Sequence, residues 1–163
     1  MYCLNIVLDN FKQAWWQKIC NSGTLCTYKY LKTSLSIEAY LDSLPKKLRK
    51  AMSQLRLSSH SLYVETGRYT RQRIDRSQRY CTSQGIEDEF HFVIKCPIYK
   101  HKRKNCIKSF YIRRPSMQKF VELMTSCNRT VIKNLSTYIC QAFDLKNSLI
   151  VTWYNTYNNL TLI

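Results

Sequence analysis

The sequence predicts a mainly α-helical protein: one small domain of about six helices around a single core, with an irregular Cys/His knuckle in the middle. Three observations carry this. Apolar residues recur at three- and four-residue steps in both halves of the chain, the spacing of one helix face. Only 3 Gly and 3 Pro occur in 163 residues, where average usage would give roughly 11 and 8. That is too little punctuation for many tight hairpins. With 45 % apolar and 13 % aromatic residues, the chain has enough apolar surface to bury one core of ordinary domain size.

From the N-terminus, Leu4, Val7, Leu8, Phe11, Trp15 and Ile19 line a first helix, stopped by Asn21, Ser22 and Gly23, with Gly23 as a C-cap. A second face runs through Ile37, Tyr40, Leu41 and Leu44. Pro45 restarts a helix at its first turn, and Leu48, Met52 and Leu55 continue it to about Ser58. Residues 60–85 read as irregular or briefly extended chain. Residues 88–95 and 97–110 read as two short helices broken at Cys96 and Pro97. Met117, Phe120, Val121 and Met124 form one further stripe, and Val131, Leu135, Tyr138, Ile139, Ala142 and Leu149 the longest. Each stripe is expected to face the core. The last ten residues are expected to fray. The chain divides into an N-terminal helical segment (1–58), an Arg-rich knuckle region (59–110) and C-terminal helices on the same core (111–163).

Several function classes drop out. No GxGxxG and no P-loop occurs, so phosphate-cradling nucleotide folds are excluded. No apolar run reaches the ~18 residues of a membrane span. Residues 1–10 lack a basic n-region and a small-residue cleavage site, so the expected location is intracellular, nucleus or cytoplasm. In that reducing setting the 8 cysteines are expected as free buried thiols, a few of them metal ligands. The sequons at Asn128, Asn134 and Asn159 are then chance matches.

The formal charge is +16, from 26 Lys+Arg against 10 Asp+Glu. Residues 46–114 hold 18 of the basic and 5 of the acidic residues, a net of +13. Two runs stand out: an arginine run at 68, 71, 73, 76 and 79, bracketed by Tyr69 and Tyr80, and Lys100, Lys102, Arg103 and Lys104, followed by Lys108, Arg113 and Arg114. Arginine contacts phosphate through two N–H groups and stacks on bases, and tyrosine rings supply further stacking faces. A nucleic acid, RNA or DNA, is the expected partner; neither run alternates with the apolar face that a membrane surface would need.

Cys81, His91 and Cys96 have the spacing of a metal knuckle with one ligand missing. A C-x2-C pair would place a second cysteine at 84, where the chain has Gln84. On an unbroken α-helix, residues 91 and 96 would point about 140° apart. Pro97 disfavours helical geometry at 96, which lets Cys96 swing off the helix end toward His91. Zinc is the one cofactor this donor set suggests, with His101 and Cys106 as other candidates for a fourth ligand. Zinc binding is expected to be weak and to be recovered by Gln84→Cys. Nothing else in the sequence assembles a reaction centre.

The strings Leu55-Arg56-Leu57-Ser58-Ser59-His60, Val64-Glu65-Thr66-Gly67-Arg68-Tyr69, Arg79-Tyr80-Cys81 and Ile86-Glu87-Asp88-Glu89-Phe90-His91-Phe92, with Cys96-Pro97-Ile98-Tyr99 and Arg103, form one pattern. It resembles the zinc-binding region C-terminal to the polymerase in non-long-terminal-repeat retrotransposon reverse transcriptases. The resemblance covers about residues 12–145 and is strongest over 55–103. It implies Cys81, His91 and Cys96 as metal ligands, with Gln84 at the lost fourth position. By the same analogy Arg68, Arg71, Arg73, Arg76, Arg79, Lys102, Arg103 and Lys104 contact phosphate, and an upstream reverse transcriptase domain is a partner. No paired-aspartate polymerase motif is present. The adjacent acids Glu87, Asp88 and Glu89 suit the first turn of the helix bearing His91, where negative charge meets the helix dipole. The expected function is therefore a non-catalytic nucleic-acid-binding accessory domain. The alternative is a helical protein-interaction module or a decayed element remnant.

Overall fold

The computed structural model describes residues 2–69, 81, 83 and 85–160, and side chains over 5–67, 81, 83 and 85–152. Nine α-helices lie among the described residues: α1 (Tyr2–Asn21), α2 (Tyr28–Leu31), α3 (Ala39–Ser43), α4 (Lys46–Arg56), α5 (Tyr63–Tyr69), α6 (Lys100–Cys106), α7 (Ser109–Ile112), α8 (Met117–Met124) and α9 (Arg129–Leu160). A π turn (His91–Lys95) and a 3-10 turn (Pro97–Tyr99) join α5 to α6. The protein is thus mainly helical, with no strand among the described residues.

α9 is the organising element. Asn128 starts it, its Oδ1 accepting from the N–H groups of Thr130 and Val131 at 2.9 and 3.2 Å. Its face Ile132, Leu135, Tyr138, Ile139 and Ala142 is buried, and α3, α4, α6 and α8 all pack on it. α8 enters with Ser116 as its cap, Oγ accepting from Lys119 N–H. α4 follows Pro45, which stands at its N-cap, and buries Ala51, Met52 and Leu55. One core runs from Leu31 on α2 through the π turn to Ala142 on α9.

α4 ends in an uncommon way. Ser59 N–H reaches Gln54 O at 2.9 Å and Ser58 N–H reaches Leu55 O at 3.4 Å, the double bond of a Schellman ending. The left-handed position is held by Ser58, at φ 52°, not by glycine. That geometry costs a non-glycine residue about 1–2 kcal/mol, and the Ser58 hydroxyl offsets part of it by donating to Glu89 Oε1 at 2.9 Å.

Six expectations need correction. Residues 60–85 are not all irregular: α5 forms there because Glu87 accepts from Tyr63 N–H at its first turn and Leu62 O accepts from Glu65 and Thr66 N–H. The 97–110 helix ends at Cys106, with α7 a separate turn. Ile37 precedes α3 and is 79 % exposed, so it is not on a core face. Of the α1 stripe, among the described side chains, Ile19 alone is buried; Trp15 is half-buried, and Val7, Leu8 and Phe11 are exposed. Gly23 has no positive φ, and the chain turns there through Ser22, whose Oγ accepts from Thr24 and Leu25 N–H. α9 continues to Leu160, seven residues into the last ten expected to fray.

Candidate metal centre

Among the described residues, Cys81, His91 and Cys96 bring their ligand atoms within 4.8 Å of one another, and all three are buried. The group could hold a metal ion. Two sulfurs and an imidazole are the donor set of a structural zinc site, whose tetrahedral edges are roughly 3.4–3.8 Å. A contraction of at most about 1.4 Å would close three corners of that tetrahedron. His101, exposed on α6, and Cys106 lie outside the group. Gln84 lies outside the described residues.

The pair 91 and 96 meets by a different route from the one the sequence suggests. Cys96 does not simply leave a helix end. Residues 91–95 wind as a π turn, closed by Cys96 N–H on His91 O at 2.7 Å. With ~4.4 residues per turn, positions five apart lie only about 50° from each other. The wider winding therefore superposes the two ligands. Pro97 keeps Cys96 extended, at φ −53° and ψ 121°, and the following Ile98 and Tyr99 N–H groups bond back to the Cys96 sulfur. Such N–H to sulfur bonds favour thiolate. Burial and the neighbouring Cys81 act the other way and push the thiol up to about 11. A bound metal would have to displace that proton. Burial holds the His91 imidazole below its ordinary range, helped by Arg103 and Lys95 against the opposing pull of Asp88, so the ring is in the neutral, ligating form.

Arg103 fixes the turn from outside. Its Nε donates to Val93 O at 2.7 Å and its Nη2 to Cys96 O at 2.7 Å, with longer approaches to Phe92 O and the Tyr138 hydroxyl. Tyr138 Oη donates to Phe92 O at 2.6 Å. This corrects one expectation: Arg103 is 3 % exposed, so it cannot reach phosphate. The π turn leaves carbonyls without helical partners, and the guanidinium fork satisfies them. Lys104 is exposed and Lys102 half-buried on the same helix. The side chain of Arg68, together with Arg71, Arg73, Arg76 and Arg79, lies outside the described residues.

The acidic string also does something else than expected. Asp88 does cap the helix start, its Oδ1 accepting from His91 N–H at 2.7 Å. Glu87 and Glu89 are buried hubs. Glu89 accepts from Thr27 Oγ1, Ser58 Oγ and His60 Nε2 at 2.8, 2.9 and 3.0 Å. Burial pushes this carboxyl up, but the bonds and charge of His60, with Thr27, outweigh it and hold it below the usual range. Glu87 takes both oxygens to Lys146 Nζ at 2.6 Å and accepts from Tyr63 N–H at 2.8 Å. Arg56 donates to Met124 O, Leu31 O and Glu38.

So the strings Arg56-Leu57-Ser58-Ser59-His60 and Glu87-Asp88-Glu89-Phe90-His91 interlock at Glu89 and hold the end of α4 against the metal turn. Sequence reading by periodicity missed both hubs; Arg56 and Lys146, charged residues that continue the buried stripes of α4 and α9, were the available signal. The cysteines divide as well: Cys81, Cys96 and Cys140 are buried, whereas Cys20, Cys26 and Cys127 are exposed, against the expectation of buried thiols throughout. No helix among the described residues is long and apolar enough to cross a membrane. No family model matches the chain, and neither a curated protein nor a solved structure matches it.

Proposed function

We propose that the chain is a non-catalytic nucleic-acid-binding accessory domain whose basic middle segment is anchored at one end by a structural metal site. The observation that carries this is the placement of the Cys81, His91 and Cys96 group. The arginine run at 68, 71, 73, 76 and 79 begins on α5 and ends two residues before Cys81. A metal bound there ties the far end of the run to the core and lowers the ordering cost of presenting its cations to phosphate. The net +13 over 46–114 supplies the attraction. The resemblance to the C-terminal region of retrotransposon reverse transcriptases supports the same reading. It adds an origin, a zinc ion as the metal and an upstream polymerase domain as a partner.

The test is binding of duplex DNA and single-stranded RNA by the purified protein across a salt series. With six phosphates neutralised, log affinity on duplex falls against log salt with a slope of about −5. Absence of binding at low salt, or a slope near zero, refutes the reading. Primer extension by the pure protein, abolished by a substitution in this chain, would refute the non-catalytic part. One observation favours a second reading, a helical protein-interaction module: α1 presents Ile6, Val7, Leu8 and Phe11 to solvent.

A further inference from the structure

The corner between α7 and α8 has the chemistry of a site for an unpaired base and its flanking phosphates. Ser109, Phe110, Arg113, Arg114 and Lys119 line a concavity of about 670 Å³ that includes no carboxylate. Phe110 is 55 % exposed, a large apolar ring held in water. It is also held in place. Lys119 Nζ sits over the ring at 4.7 Å from its centre and donates to Phe110 O at 2.9 Å and Arg113 O at 2.5 Å. Tyr111 packs against the ring edge-on at 5.1 Å, and Tyr111 is itself buried, its hydroxyl donating to Glu122. One ring face is thus covered by an ammonium and the ring is braced, while its exposure leaves surface for a second planar group.

The two arginines complete the corner. Arg113 and Arg114 are exposed, and no ion pair among the described residues involves either. Arg114 sits at φ 48°, a left-handed conformation that residues other than glycine rarely adopt. The fold spends Lys119 on backbone carbonyls and leaves both guanidinium groups unengaged beside a rigid aromatic.

We infer that this corner binds single-stranded nucleic acid: a base stacks on Phe110, and the phosphates on either side of it meet Arg113 and Arg114. The inference rests on the nucleic-acid reading above and moves one contact from Arg103, which the core consumes, to the next turn of chain. A duplex cannot offer a base face to the ring, so the corner discriminates single from double strands.

The experiment measures affinity of the full chain for a labelled oligothymidylate of about twelve nucleotides and for a duplex of the same length. Phe110→Ala is expected to lower single-strand affinity about tenfold and leave duplex affinity unchanged, and Phe110→Trp to restore it. Arg113→Gln with Arg114→Gln is expected to flatten the single-strand salt slope by about 1.4. Wild-type-like single-strand binding by Phe110→Ala, or an equal loss on duplex, overturns the corner while leaving the broader reading intact. Failure of the wild type to bind either probe at low salt overturns the broader reading itself.

Discussion

α1 and the knuckle make opposite use of their residues. α1 has the better-looking sequence: twenty residues with apolar side chains at helical spacing. Yet Val7 is 67 % and Phe11 61 % exposed, and contact with the rest of the fold runs through its C-terminal half to α2. The knuckle has short elements, a π turn and polar residues in most of its positions, yet His91, Phe92, Val93 and Ile94 are all buried. Helical spacing states that a face can be buried, not that anything lies opposite it. A buried charge makes a stronger demand, because it is tolerated only with specific partners. Glu87, Glu89, Arg56, Arg103 and Lys146 each have such partners; Arg103 closes the turn just before its own helix, and the other four each link segments far apart in sequence.

The largest effect expected from this contrast is at Lys146. Lys146→Met leaves the Glu87 carboxylate buried without its cation, at a cost of about 3–5 kcal/mol. The double variant Glu87→Leu with Lys146→Met is expected to recover most of that loss, since apolar replacement of a buried pair is often near neutral. Denaturant midpoints of the three proteins decide it. A small loss in the single variant would mean that the knuckle is held no more specifically than α1. Next comes Arg103. Arg103→Leu removes the donors to Val93 O and Cys96 O, at about 3 kcal/mol for two stranded carbonyls. Arg103→Lys is expected to fall between, because an ammonium cannot span both acceptors as the fork does.

The contrast also explains what could be read in advance. The stripes of α4, α8 and α9 were legible because each lies against another stripe; Met117, at the start of the α8 stripe, is the exception and is 44 % exposed. The trio Cys81, His91 and Cys96 was legible because thiols and imidazole at that spacing have few other uses. The π turn was not, because it depends on one bond from Cys96 to His91 and on a guanidinium arriving from residue 103. The burial of Arg103 was hidden for the same reason: within Lys100, His101, Lys102, Arg103 and Lys104 it looks like one more solvated cation. α2 and α7, at four residues each, are shorter than the window in which periodicity can be detected.

A third effect concerns the metal. Zinc added in excess is expected to raise stability by about 2.7 kcal/mol at a hundredfold over the dissociation constant. Cys96→Ser and His91→Ala are expected to abolish the gain. Gln84→Cys is expected to reach the same gain at lower zinc, because a third thiolate, as fourth ligand, completes the tetrahedron. Thermal melts with zinc and with chelator, and metal content after dialysis, measure both. A wild type unaffected by zinc would leave the buried trio as packing alone.

The smallest expected effect is at α1, and it tests the contrast from the other side. Val7→Lys and Phe11→Lys place charges on positions that the fold leaves in water, so each should change stability by less than about 0.5 kcal/mol. Ile19→Lys, one face of the same helix but buried, should cost several times more, because it forces an ammonium into a buried position. Unfolding of the three variants under identical conditions gives the ranking. Amide exchange adds a second reading: the α1 protons before Trp15 should exchange far faster than those of α9 around Tyr138, where local opening requires breaking the core. If Phe11→Lys instead costs more than 1 kcal/mol, or the early α1 amides are protected like those of α9, then something in solution covers this face. In that case helical spacing would have been as good a guide to burial in α1 as it is in α9, and the exposed stripe would mark an interface rather than a helix with no partner.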